Sequence, residues 1–135
     1  MSEIGTVWLF GDDIDTDILF NTDKINTFFC DQTNPQIIKN MWNESKLKDD
    51  FDIIIDDGLH KFKANVCFFE NSIHKLKPNG FFIIEDILKH EEYLFTDKIK
   101  EWERQYGDCS FKLLNIPSDI NFVDNTLVIV YKSGV

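Results

Sequence analysis

The sequence predicts an α/β layer fold with a mostly parallel sheet and an antiparallel last strand, on three observations. Short apolar runs alternate with segments of helical period along the 135 residues. Two central runs, Asp52-Ile53-Ile54-Ile55-Asp56 and Phe81-Phe82-Ile83-Ile84, are continuously apolar, as in parallel strands covered on both faces. The last two strand runs are separated by too short a segment for a helix, so they pair antiparallel.

In chain order, Thr6 to Phe10 reads as a strand closed by Gly11-Asp12-Asp13, and Ile25 to Cys30 as a second strand closed by Asp31-Gln32. Asn34-Pro35 starts a helix, with Asn as N-cap and Pro at the first helical position; Ile37, Ile38, Met41 and Trp42 form its apolar face. After the Asp52–Asp56 strand, Phe62, Val66, Phe69, Ile73 and Leu76 recur at helical spacing and predict one helix face packed on the sheet. Lys77-Pro78-Asn79-Gly80 ends it, since Asn and Gly both tolerate positive φ. The Phe81–Ile84 strand ends at Glu85-Asp86. Phe95, Ile99, Trp102 and Tyr106 mark a further helix stopped at Gly107, and Phe111–Ile116 and Thr126–Tyr131 are the final strands.

Composition narrows the function classes. Hydrophobic residues make up 43% of the chain, enough for a core, so one domain spanning residues 1–135 is expected. The net charge of −10 argues against binding a nucleic-acid backbone or an anionic membrane surface. The three cysteines are odd in number and lack C-x-x-C spacing, so they read as buried thiols of a reducing compartment. The start shows no signal peptide, and no apolar run approaches the roughly 20 residues of a membrane-spanning helix. The expectation is a cytoplasmic protein.

In open α/β sheets, ligands collect beyond the carboxyl ends of the strands. All four leading strands end in acids: Asp12-Asp13, Asp31, Asp56-Asp57 and Glu85-Asp86. Gathered carboxylates repel unless a cation or hydrogen-bond donors compensate. A hard cation such as Mg²⁺ needs only two or three of them, because it keeps several waters. The same acids also serve to cap helices or solvate loops. His60 follows Asp57 by three residues, and it reads either as a polar residue near a helix start or as a general base beside a bound metal. His74 and His90 lie in charged stretches and read as surface.

The segment from Asp52-Ile-Ile-Ile-Asp-Asp-Gly-Leu-His60 through Leu76-Lys-Pro-Asn-Gly80-Phe-Phe-Ile-Ile-Glu-Asp-Ile87 resembles class I S-adenosylmethionine-dependent methyltransferases. It is most similar to the macrolide-sugar and natural-product O-methyltransferases. Their pattern is an Asp-Asp-Gly-x-His loop, a Pro-Gly-Gly turn and a strand ending in Glu-Asp; here Asn79 replaces the first of the two glycines. The resemblance implies a Rossmann-like fold with S-adenosylmethionine as cofactor, assisted by Mg²⁺, and a sugar or small natural product as hydroxyl acceptor. By position it implies Asp13 at the cofactor ribose, Asp31 with Gln32 at the adenine, and Asp56 at the methionine end. It implies Asp57, Glu85 and Asp86 as metal ligands and His60 as the base.

The family's first strand and Gly-x-Gly loop would precede Thr6, where this sequence has five residues. The expectation is therefore a partial methyltransferase domain without that strand and loop, which methylates weakly or not at all alone. Such a chain would self-associate or pair with a separate N-terminal partner chain. The competing expectation is a noncatalytic interaction subunit on a degenerate methyltransferase scaffold.

Overall fold

The computed structural model describes residues 26–134; the expected strand at Thr6–Phe10, with Asp13 after it, lies outside them. Helix α1 (Pro35–Trp42) begins as the sequence dictates: the Asn34 side chain accepts from the amides of Gln36 and Ile37, and Pro35 occupies the first turn. Ile38, Met41 and Trp42 are its buried face. The strand expected at Ile25–Cys30 is not formed among the described residues. Asn26 makes one isolated bridge and residues 27–30 are irregular. Thr27 and Cys30 are buried while Phe29 is exposed.

Strand β1 (Phe51–Asp56), helix α2 (Phe62–Glu70), strand β2 (Leu76–Ile87), helix α3 (Glu92–Gln105), strand β3 (Cys109–Asn115) and strand β4 (Thr126–Lys132) follow. The sheet order is β1-β2-β4-β3. Strand β2 runs parallel to β1 and antiparallel to β4, and β3 pairs antiparallel with β4, as the short final connection requires.

Helix α2 is shorter than its apolar period suggests. It stops at Glu70, a 3-10 turn covers Ile73–Lys75, and Leu76 belongs to β2, opposite Phe51. The Leu76 side chain is fully buried. A helical period and a strand start coincide there because both place Leu76 toward the core. The turn expected at Lys77–Gly80 lies inside β2 instead, where the β1–β2 register shifts between Leu76 and Phe81 and Asn79 takes the left-handed conformation (φ 65°). Gly80, expected to share that freedom, has no positive φ. It is required for close approach instead: a Cβ there would lie 2.7 Å from the Asp52 carbonyl oxygen and 2.9 Å from that of Lys77. Backbone atoms cannot swing aside. Gly80→Ala is expected to cost about 1–3 kcal/mol, read as a lower urea midpoint with unchanged slope.

The core lies between one sheet face and α1, α2 and α3. Phe69 is its hub, with ring contacts to Phe82, Trp102, Tyr106 and Phe111 at 4.3–5.9 Å. Polar edges of this core are satisfied: Trp102 Nε1 donates to Glu70 (3.0 Å) and Trp42 Nε1 to Ser72 (2.8 Å). The opposite sheet face is a correction to the sequence reading. Among the described residues strand β1 is covered on one side only, with Ile53 58% and Ile55 48% exposed beside Phe81 at 42%. Of the cysteines, Cys30 alone is buried; Cys67 and Cys109 are partly exposed. Burial, aided by the nearby Asp31 charge, pushes the Cys30 thiol up to about 12. No helix among the described residues is long and apolar enough to cross a membrane.

Candidate functional site

Because β1 and β2 are parallel, their carboxyl ends meet at one edge. Asp56 pairs with Ile84, so Asp57 on one strand and Glu85 on the other are the next residues outward. The β2–β4 register slips between Ile84 and Ile87, leaving two residues of β2, Glu85 and Asp86, opposite one of β4, Leu127. This bulge contains Glu85 and Asp86, and Asp86 sits in it at φ 52°. Bulges re-aim side chains at sheet ends, and a left-handed non-glycine residue is held there only by its surroundings. His60, at the end of the loop after β1, has the same conformation, also φ 52°.

The result is a cluster. Asp57, His60 and Asp86 each offer a ligand atom, all within 4.8 Å of one another. Two ligands of one ion can stand about 4–5 Å apart, so the spread suits a single divalent cation. Among the described residues, His60 is the one ion-pair partner of these acids, its Nε2 lying 3.6 Å from Asp57 Oδ1. The His60 Nδ1 atom is buried and has no hydrogen-bond partner among the described residues. Glu85 is not in the three-residue group but lies beside it. Burial first, then the charges of Asp57 and Asp86, raise its carboxyl above the usual value, while His60 opposes the rise. Two carboxylates, a nitrogen with an unmet atom and a neighbouring acid destabilised in its charged form are a donor set a divalent cation fits. An imidazole in the set widens the choice from Mg²⁺ toward Mn²⁺ and similar ions.

The loop from Asp57 to His60 is set by a buried polar network. Asp56 is fully buried. Its Oδ1 accepts from Gln32 Nε2 (2.6 Å) and the Gly58 amide (3.3 Å), and its Oδ2 accepts from Asn65 Nδ2 (2.8 Å). Gln32 Oε1 in turn accepts from the Leu59 amide at 2.6 Å. Burial raises the Asp56 carboxyl, and hydrogen bonds from Asn65, Gln32 and Gly58 counter part of that rise. Gly58 leaves room for this arrangement, since a Cβ there would fall 2.1 Å from Gln32 Oε1.

Gln32 and Asp56 thus support the loop from beneath, with no exposed surface of their own. Asp31 turns away from Gln32, its Oδ1 accepting from the Thr33 amide (2.8 Å) and hydroxyl (2.6 Å). Asp13 lies outside the described residues. The sequence reading missed Asn65; its signal was an amide at a core-facing position of an apolar helix. Gln32→Ala is expected to lower stability by about 1–3 kcal/mol, because it removes one of three donors to the buried Asp56 carboxylate and takes the acceptor from the Leu59 amide. Chemical denaturation checks this, with circular dichroism confirming that the helices persist.

No protein-family model matches the chain, and no curated protein matches it. Solved structures do. The MycE methyltransferase from the mycinamycin biosynthetic pathway, in complex with Mg and SAH, matches with a TM-score of 0.58 at 20% identity, over 93% of this chain and 37% of that one. Its complex with Mg, SAH and mycinamycin VI matches with a TM-score of 0.60 at 15% identity, over 98% and 45%. This chain therefore spans less than half the length of the structures it resembles. The likeness shows the fold: the chain has the Rossmann-like architecture of these methyltransferases, as the sequence motifs led one to expect.

Proposed function

We propose that the chain is the part of an S-adenosylmethionine-dependent O-methyltransferase that holds the acceptor hydroxyl and a divalent cation. The observation that carries this reading is the meeting of Asp57, His60 and Asp86, with His60 and Asp86 both in the left-handed conformation. Strain of this kind persists where a site requires it. Asp57 and Asp86 would hold the ion, Mg²⁺ or a close relative, with Glu85 beside them. When bound, the ion supplies the positive charge that lowers the pKa of an acceptor hydroxyl. His60 would either complete the ligand set or take the hydroxyl proton. Asp13 and Asp31 are the proposed cofactor contacts, at the ribose and adenine. Gln32 and Asp56, assigned to the cofactor by sequence, would act on it by fixing the loop that carries Asp57 and His60. The acceptor would be a sugar or small natural product. The MycE structures support the cofactor and the ion, having been solved with Mg and SAH.

A noncatalytic role is favoured by one observation: Ile53, Ile55 and Phe81 leave an apolar strip of sheet uncovered. An apolar strip of that kind is where a partner chain or a second copy would sit. Calorimetric titration of the whole chain with S-adenosylhomocysteine, with and without Mg²⁺, separates the two. Saturable binding strengthened by Mg²⁺ and weakened by Asp13→Ala supports the enzyme reading. Absence of binding at millimolar ligand to the folded chain would sink it in favour of the partner subunit.

A further inference from the structure

One side chain joins the turn proposed to meet the cofactor adenine to the loop proposed to hold the cation. Asp31 and Gln32 are adjacent in the turn before α1, and that turn is pinned to the helix. The Asn34 amide donates to the Asp31 carbonyl (3.1 Å), and the Asn34 side chain then caps α1. Asp31 is partly exposed, whereas Gln32 has no exposed surface. Both bonds from Thr33 to the Asp31 carboxylate go to Oδ1, so among the described residues Oδ2 keeps its capacity to accept from a ligand.

The Gln32 carboxamide spans from this turn to the loop after β1. Its Nε2 donates to Asp56 Oδ1 and its Oε1 accepts from the Leu59 amide, each at 2.6 Å. Partners of opposite polarity fix its orientation, because a flipped amide would set oxygen against oxygen and N–H against N–H. The same Asp56 oxygen accepts from the Gly58 amide at 3.3 Å. Gly58 and Leu59 are the only residues between Asp57 and His60. Both amides between these two cation-site residues are therefore held by Gln32, directly or through one carboxylate oxygen. The carboxamide also packs against the loop backbone, since a Cβ at Gly58 would fall 2.1 Å from its Oε1. Asn65 reaches the other oxygen of Asp56 from α2 (2.8 Å), away from the Asp31 turn.

We propose that Gln32 is a positioning residue that couples the two sites, so that cofactor and cation each bind more tightly when the other is present. The inference rests on the methyltransferase reading for the cofactor at Asp31; its evidence is the strut itself. A ligand that orders the Asp31–Gln32 turn settles the carboxamide, and the carboxamide settles the amides between Asp57 and His60. A cation that orders the loop acts in reverse, and thermodynamic linkage makes the two effects equal. Neither ligand needs to touch Gln32. Close packing around a fully buried side chain leaves it no freedom for one end to move alone.

The test measures the Mn²⁺ affinity of the whole chain by water-proton relaxation, with and without saturating S-adenosylhomocysteine. S-adenosylhomocysteine should tighten Mn²⁺ binding to the wild-type chain about fivefold, and Mn²⁺ should tighten S-adenosylhomocysteine binding by the same factor. Gln32→Met keeps the length of the side chain and loses both bonds, and it should lose this enhancement. Asn65→Leu also removes a donor to Asp56 but leaves the strut, and it should keep the enhancement. A merely structural role would move both variants alike. In the isotope-labelled wild-type chain, S-adenosylhomocysteine without metal should shift the amides of Gly58, Leu59 and His60. That measurement decides the matter should Gln32→Met not fold.

Independent binding of the two ligands to the wild-type chain would overturn the proposal, as would an undiminished enhancement in Gln32→Met, an equal loss in both variants, or unmoved loop amides. Any of these, with S-adenosylhomocysteine bound, leaves the methyltransferase reading standing. If S-adenosylhomocysteine does not bind the folded chain, that reading and this inference fall together.

Discussion

Phe69→Ala is expected to lower the free energy of unfolding by about 3–5 kcal/mol, a large share of the 5–15 kcal/mol typical of a whole domain. The Phe69 ring exposes none of its surface. It joins α2 to β2 through Phe82, to α3 through Trp102 and to β3 through Phe111. Truncation removes its own burial and also leaves a cavity that four neighbouring rings cannot close without losing contacts with one another. Urea denaturation followed by tryptophan fluorescence reads the change directly, since Trp102 lies 4.3 Å from the Phe69 ring. A loss below about 1 kcal/mol would show that the site collapses easily and that the aromatic hub is not the centre of the core.

Asp57→Asn and Asp86→Asn are each expected to weaken Mn²⁺ binding by about tenfold or more, and together to abolish it, because hard-cation affinity follows the number of charged oxygens. Both side chains are exposed, so stability should move by no more than about 0.5 kcal/mol. Asparagine also tolerates the left-handed backbone at position 86. Calorimetry or paramagnetic relaxation of water protons measures the affinity. His60→Gln separates its two possible roles: a ligand loses affinity on substitution, whereas a base leaves binding intact and slows methyl transfer. Unchanged Mn²⁺ affinity in the Asp57/Asp86 double variant would remove the cluster from consideration as a metal site.

Local chemistry made much of the fold legible. The start of α1 is written in Asn34-Pro35, and its cap forms as those residues require. The antiparallel end of the sheet follows from the short stretch between Asn115 and Thr126. The acids at the ends of β1 and β2 were visible because strand ends are visible, and parallel strands bring such ends together. Other features were not legible for physical reasons. The stretch after Asn26 carries strand-forming residues, yet among the described residues it forms no strand, because a strand needs a partner that local sequence does not specify. Leu76 fits a helical period and a strand equally well, since both point it inward.

The sequence by itself determined the alternation of strands and helices, the order of chemistry along the chain and the identity of the acids and histidine at one sheet edge. Each of these depends on neighbours a few residues away. Tertiary structure alone decided that one face of β1 stays open among the described residues, that a bulge turns Asp86 toward Asp57 and His60, and that Gln32 and Asn65 reach Asp56 from 24 and 9 residues away. Register and burial are set by distant partners, and a one-residue slip sends a side chain to the other face.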